Sequence, residues 1–92
     1  MAQNQREQVV ARLRSIEGHV RGVARMVEED AYCIDVIKQT IAIIKAVEKL
    51  NAVILDNHLN TCVTTAIRSD NPSDRERVIK ELLEIFETSG KM

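Results

Sequence analysis

From Ala31 to about Arg68 the chain runs without a single Gly or Pro. Its apolar residues Ile37, Ile41, Ile44 and Leu55 fall at helical spacing, and His58 and Cys62 continue the same line. The stretch predicts one long helix. At ~1.5 Å of rise per residue, Cys33 and His58 would stand roughly 38 Å apart along that axis, too far to share a ligand within one chain. Two copies remove the obstacle. If the long helices pack antiparallel and cross near Ala46-Val47, Cys33 of one copy comes opposite the partner's His58 and the partner's Cys62, and two-fold symmetry makes the site twice.

The flanking segments read as helices too. Between Gln5 and Val27 the residues Val9, Leu13, Ile16, Val20, Val23 and Val27 repeat in alternating steps of four and three, as a bundle-facing helix requires. Arg14, Gly18, Arg21 and Arg25 form a separate stripe. Gly18 and Gly22 lower helix propensity there, and their expected use is close approach of another backbone or of a ligand. Glu28-Glu29-Asp30 marks a tight break, with Asp30 the expected N-cap of the long helix, so that helix one folds back antiparallel on helix two. A second break falls at Ser69-Asp70-Asn71-Pro72. After it, Ser73 with Glu76 three residues on has capping-box form. Val78, Ile79, Leu82, Leu83 and Phe86 supply the apolar face of a shorter third helix that ends near Gly90. The expectation is a single all-α domain over residues 1–92, a three-helix protomer too small to cover its long helix alone and therefore an obligate oligomer.

Composition narrows the function. Tyr32 and Phe86 are the only aromatic residues, so base stacking on aromatic platforms has almost no raw material. A net charge of −1 conceals an asymmetry: five Arg against Glu7 and Glu17 give residues 1–27 a charge of +3, leaving −4 for the rest. No apolar run approaches a membrane span, and the N-terminus lacks a signal-peptide core. The expected location is the cytoplasm, with no membrane partner, and there two cysteines are expected as thiols. No helix-turn-helix, zinc finger or ribbon signature appears. Nor is there a nucleophile-base-orienter set, a Gly-rich phosphate loop or a carboxylate pair at a predicted pocket, so an enzyme is not expected.

His58 and Cys62 are an i, i+4 pair, the spacing at which one helical face offers two ligands to one metal. The pair alone equally describes a small buried hydrophobe beside a packed histidine, the commoner situation. Cys33 adds to it, because it falls in the first turn of its helix, where unpaired N–H groups and the helix dipole favour the thiolate. Two thiolates and one imidazole form a soft set of low coordination number that suits Cu(I) better than Mg(II) or Mn(II), while Zn(II) would usually take a fourth ligand. The only other imidazole is that of His19, on the Arg-rich side of helix one, where a surface or DNA-facing role is expected.

The runs Arg-Leu-Arg-Ser-Ile-Glu-Gly-His-Val-Arg-Gly from Arg12, Asp-Ala-Tyr-Cys-Ile-Asp-Val from Asp30 and Asn-His-Leu-Asn-Thr-Cys from Asn57 resemble the copper-sensing operon repressors over nearly the whole chain. The resemblance implies Cu(I) as the metal, with Cys33, His58 and Cys62 as ligands and Tyr32 and Glu81 as residues hydrogen-bonding around the ligand His. It also implies an antiparallel four-helix-bundle dimer that pairs into a tetramer and binds operator double-stranded DNA without a standard reading motif. Arg12 and Lys49 match basic positions implicated there, Lys49 replacing an Arg of some relatives and keeping charge without the planar fork. By composition alone Arg12, Arg14, Arg21, Arg25 and Lys49 read as a solvated charged face; the resemblance implies a phosphate-tracking patch once they are repeated around a tetramer. Related sensors of nickel or cobalt use further His residues where this chain has Gln3 and Cys62, formaldehyde sensors an N-terminal Pro where it has Ala2, and persulfide sensors the two cysteines without the His.

The expected activity is a Cu(I)-responsive repressor, released from DNA when metal joins Cys33 of one subunit to the partner subunit's His58 and the partner subunit's Cys62, which derepresses copper-resistance genes. One alternative is a persulfide sensor using Cys33 and Cys62 on the same fold. Another is a copper-buffering protein without DNA binding.

Overall fold

The computed structural model describes residues 3–89; Ala2 and Gly90, with the helix end expected at Gly90, lie outside them. The elements in order are α1 (Gln3–Glu28), α2 (Cys33–His58), a π-helical turn (Leu59–Val63), α3 (Thr64–Arg68) and α4 (Pro72–Ser89). No strand occurs among the described residues. His58, Val63 and Thr64 all keep right-handed helical dihedrals. The long helix expected to Arg68 is therefore present as a helical winding that widens for one turn at Leu59–Val63. Packing divides the chain between Asn57 and His58.

In the first part, residues 29–32 return the chain from α1 into α2, and the backbone shows why the turn is tight. The Ala31 N–H donates to the Met26 carbonyl at 2.9 Å and the Asp30 N–H to the Val27 carbonyl at 3.1 Å, while Asp30 has φ 56°. This paired 6→1 and 5→2 pattern around a left-handed residue is a Schellman motif, which satisfies two of the carbonyls α1 would otherwise leave open. Asp30 thus ends α1; it does not cap α2 as the sequence suggested. A short polar side chain is among the few that tolerate this conformation. Tyr32 takes the N-cap position, its carbonyl accepting the Val36 N–H at 3.2 Å, and Cys33 becomes the first residue of α2.

The apolar stripe of α1 resolves into two lines. Val9, Ile16 and Val23, each seven residues apart, are buried or half-buried, whereas Leu13, Val20 and Val27 remain exposed. On α2 the side covered by the hairpin carries Val36, Thr40, Ile43, Ala46 and Leu50, with Leu50 buried. The line read from the sequence lies on a neighbouring side, and its Ile37, Ile41 and Ile44 are exposed, Ile44 at 56%. One antiparallel neighbour covers one line of each helix. Gly18 and Gly22 have open space where a Cβ would stand, with nothing within 4 Å, so no backbone closes on them within the chain.

The second part is small. Val63, Ala66 and Val78 form its core, with Leu82 packed against them. Ile79, Leu83 and Phe86, also expected on the inner face of α4, are exposed. The turn into α4 is held by polar groups: the Ser69 hydroxyl accepts the Asn71 N–H at 3.1 Å, and the Asn71 Oδ1 accepts the Ser73 N–H at 3.0 Å. The cap of α4 is Asn71, two residues before the Ser73 of the expected capping box. Pro72 explains the shift, because its fixed φ and missing N–H suit the first helical position and hold the preceding residue extended. Asn71→Ala is expected to lower stability by about 1 kcal/mol, and Ser73→Ala to stay within about 0.5 kcal/mol of the parent, as read from urea midpoints. Equal effects would return the cap to Ser73.

Candidate metal centre and basic faces

Cys33 occupies the first position of α2, its side chain an exposed free thiol. The Tyr32 side chain beside it projects into solvent at 70% exposure. His58 is the last residue of α2 and half-buried, and Cys62, the second exposed free thiol, lies four residues on inside the π turn.

That turn departs from the regular i, i+4 geometry expected of the pair. The Thr64 N–H reaches the Leu59 carbonyl five residues back, and the Thr64 hydroxyl donates to the same oxygen. A π turn takes one more residue per hydrogen-bonded loop than an α turn, so four steps from His58 to Cys62 still amount to nearly one revolution. The Thr61 hydroxyl donates to the Cys62 sulfur at 3.7 Å. Among the described residues, no three His, Cys, Asp or Glu side chains come together as a metal-holding group. His58 and Cys62 share one turn, and Cys33 stands at the opposite terminus of α2.

Glu81 is exposed, its carboxylate 3.8 Å from the Arg77 Nε, while Arg77 also reaches Asp74 at 4.0 Å. In the single chain it behaves as a surface acid on α4. His19 does not lie with the arginine stripe: its Nε2 is 2.8 Å from the Gln39 Oε1, tying α1 to α2.

All five expected DNA-contacting residues, Arg12, Arg14, Arg21, Arg25 and Lys49, are exposed. Within a single chain they do not share one helix side. Arg14, Arg21 and Arg25 follow steps of seven and four and share a side of α1, but Arg12 stands two residues from Arg14, about 200° around the helix. Arg21 is ion-paired with Glu17. Lys49 lies on a side of α2 that also carries exposed Lys38 and Lys45, two residues the sequence reading passed over although their steps of seven and four repeat those of the arginine stripe. Nothing in the sequence marks Thr61 and Thr64 as supports of the π turn.

Against known proteins, the model of the family described as "Metal-sensitive transcriptional repressor" matches residues 5–88. The chain is 47% identical to the copper-sensing transcriptional repressor RicR of Mycobacterium tuberculosis over 68 residues, 74% of this chain and 71% of that one. Its fold matches that of the copper-sensing repressor CsoR with Cu(I) from Geobacillus thermodenitrificans at a TM-score of 0.89 and 36% identity, covering 99% of this chain and 92% of the other. It also matches the nickel-responsive transcriptional regulator InrS at a TM-score of 0.74 and 39% identity, covering 87% and 90% of the two chains.

His19→Ala is expected to cost about 1 kcal/mol through loss of the Gln39 bond, read as a lower denaturation midpoint, with metal uptake per chain unchanged. Loss of uptake would place His19 among the ligands.

Proposed function

The chain belongs to the metal-sensitive transcriptional repressor family, and from that premise we propose that it is a Cu(I)-responsive repressor whose metal-free form binds operator DNA. The observation that carries the choice of metal is the donor set. Two free thiols and one imidazole, Cys33, Cys62 and His58, match the softness and low coordination number of Cu(I). The chain has two histidines, and the second, His19, is engaged by Gln39. A soft, low-coordinate set of this kind suits Cu(I), and no further imidazole joins it in the chain.

The reading of the site as shared between subunits is supported by the placement of the donors and by the exposed lines Leu13, Val20, Val27 on α1 and Ile34, Ile37, Ile41, Ile44 on α2. A second copy packed antiparallel on these lines forms a four-helix bundle. It sets Cys33 opposite the partner subunit's His58 and the partner subunit's Cys62. The exposed Ile79, Leu83 and Phe86 of α4 supply apolar surface for pairing two such dimers into a tetramer. The absence of any helix long and apolar enough to cross a membrane, among the described residues, agrees with a site of action in the cytoplasm.

Cys33 of one subunit with the partner subunit's His58 and the partner subunit's Cys62 would hold Cu(I), which when bound would supply a link between α2 of one subunit and the π turn of the other. The protein's own residues determine what that link does. Cys33 is the first residue of α2, so holding its sulfur holds the Schellman turn and the start of the hairpin. Cys62 holds the π turn, and through it α3 and the short core beneath α4. Tyr32 and Glu81 orient the imidazole by hydrogen bonds. For Glu81 this requires its carboxylate to exchange Arg77 for the ring N–H, which couples ligand orientation to α4. The arginines of α1 and Lys49 contact phosphates in the metal-free tetramer, and pinning these junctions moves the tetramer to a state that binds DNA less well. By linkage, DNA must weaken Cu(I) binding by the same factor, typically 5- to 150-fold for couplings of ~1–3 kcal/mol.

Anaerobic fluorescence anisotropy on a promoter fragment from the protein's own operon tests this. One equivalent of Cu(I) per subunit is expected to release the DNA, and polysulfide is not. Release by polysulfide alone would make the protein a sulfur sensor built on Cys33 and Cys62. Cys33→Ala and Cys62→Ala are expected to bind the fragment as the parent does and to ignore Cu(I). Normal copper sensitivity in either variant would overturn the ligand assignment.

A further inference from the structure

We infer that Lys38, Lys45 and Lys49 form a phosphate-binding line along α2 that tracks the backbone of duplex DNA, an assignment that rests on the repressor reading. Steps of seven and four residues bring these three side chains to within about 40° of one another around the helix and spread them over roughly 16 Å of its length. All three are exposed. Duplex DNA presents one negative charge per ~1.7 Å of axis, so about ten phosphate charges fall within that span.

Two observations separate this line from an ordinary solvated face. Among the described residues, the ion pairs are Arg21 with Glu17 and Arg77 with Asp74 and Glu81; the three lysines have no acidic partner, whereas the arginine stripe on α1 is partly neutralised at Arg21. The line also turns away from the hairpin side carrying Val36, Ile43 and Leu50, by about 140° around α2, and borders the exposed apolar line, with Ile41 about 40° from Lys45. The charge run stops at Asp56, seven residues beyond Lys49, which bounds the patch to the first two-thirds of the helix.

The chemistry is that of positioning and not of base reading. An ammonium is a compact charge without the planar fork that distinguishes guanine, so the line contributes affinity for any sequence. A two-fold related copy carries a second, antiparallel lysine line, which matches the two-fold symmetry of a duplex.

The test is the salt dependence of binding, measured by anisotropy on the promoter fragment and on a random duplex of equal length between about 50 and 200 mM salt. Lys38→Gln and Lys45→Gln together are expected to reduce the slope of log K against log salt by about 0.9 for each lysine in each subunit that touches DNA, equally on both duplexes. Cu(I) uptake and thermal midpoint should match the parent. Lys80→Gln, which removes one charge from α4 where the double variant removes two from α2, is expected to leave the slope unchanged. A steep parental slope that the double variant does not reduce, or that Lys80→Gln reduces as much, overturns the lysine line alone. A parental slope near zero overturns the repressor reading and the line with it.

Discussion

Each helix of the hairpin carries two apolar lines, and a single antiparallel neighbour can cover only one of them. The heptad phase makes this unavoidable: Val9, Ile16 and Val23 turn toward α2, and Leu13, Val20 and Val27, three or four residues displaced, remain in solvent. The other half of the hairpin repeats the pattern with Leu50 inside and Ile37, Ile41 and Ile44 outside. Contiguous exposed aliphatic surface of this kind marks an interaction face in a protein of this size. The exposed lines therefore call for a covering surface on packing grounds alone, and the candidate ligands Cys33 and His58 stand at opposite ends of α2.

The three donors are held by different kinds of backbone. Cys33 begins a regular helix whose start is fixed by the Schellman turn and the Tyr32 carbonyl, whereas Cys62 lies in a wide turn whose hydrogen bonds involve Thr64 twice. The first is the stiffer support. π turns are rare, and interruptions of this type are frequent at functional sites. The scaffold is shared with both copper- and nickel-responsive regulators, and the candidate donors of this chain stand at helix ends and in this turn.

Periodicity made the helices and their number legible in the sequence, because steps of three and four survive any tertiary context. It could not say which of two adjacent apolar lines a single chain buries. Asp30 and Ser73 differ from their expected cap roles because Asp and Ser fit several positions around a helix terminus: the left-handed backbone of Asp30 itself decides the first, and the neighbouring Pro72 the second. The π turn left no trace, since Leu59-Asn60-Thr61-Cys62-Val63 has no Gly, Pro or charge to signal a change of winding. His19 was assigned to the arginine side by its neighbours in sequence, but a residue two positions from Arg21 points about 200° away from it, toward Gln39. The candidate ligands were legible by type and spacing; their supports were not.

The four residues 29–32 between α1 and α2 act as a ruler. Their hydrogen bonds fix both where α1 stops and where α2 begins, so the phase of every α2 side chain is counted from this turn. Adding or removing one residue there would break the paired Schellman hydrogen bonds that lead into Cys33 while leaving every candidate ligand in the sequence. The length of this loop, and not only the residues around it, thus bears on where the Cys33 thiol stands.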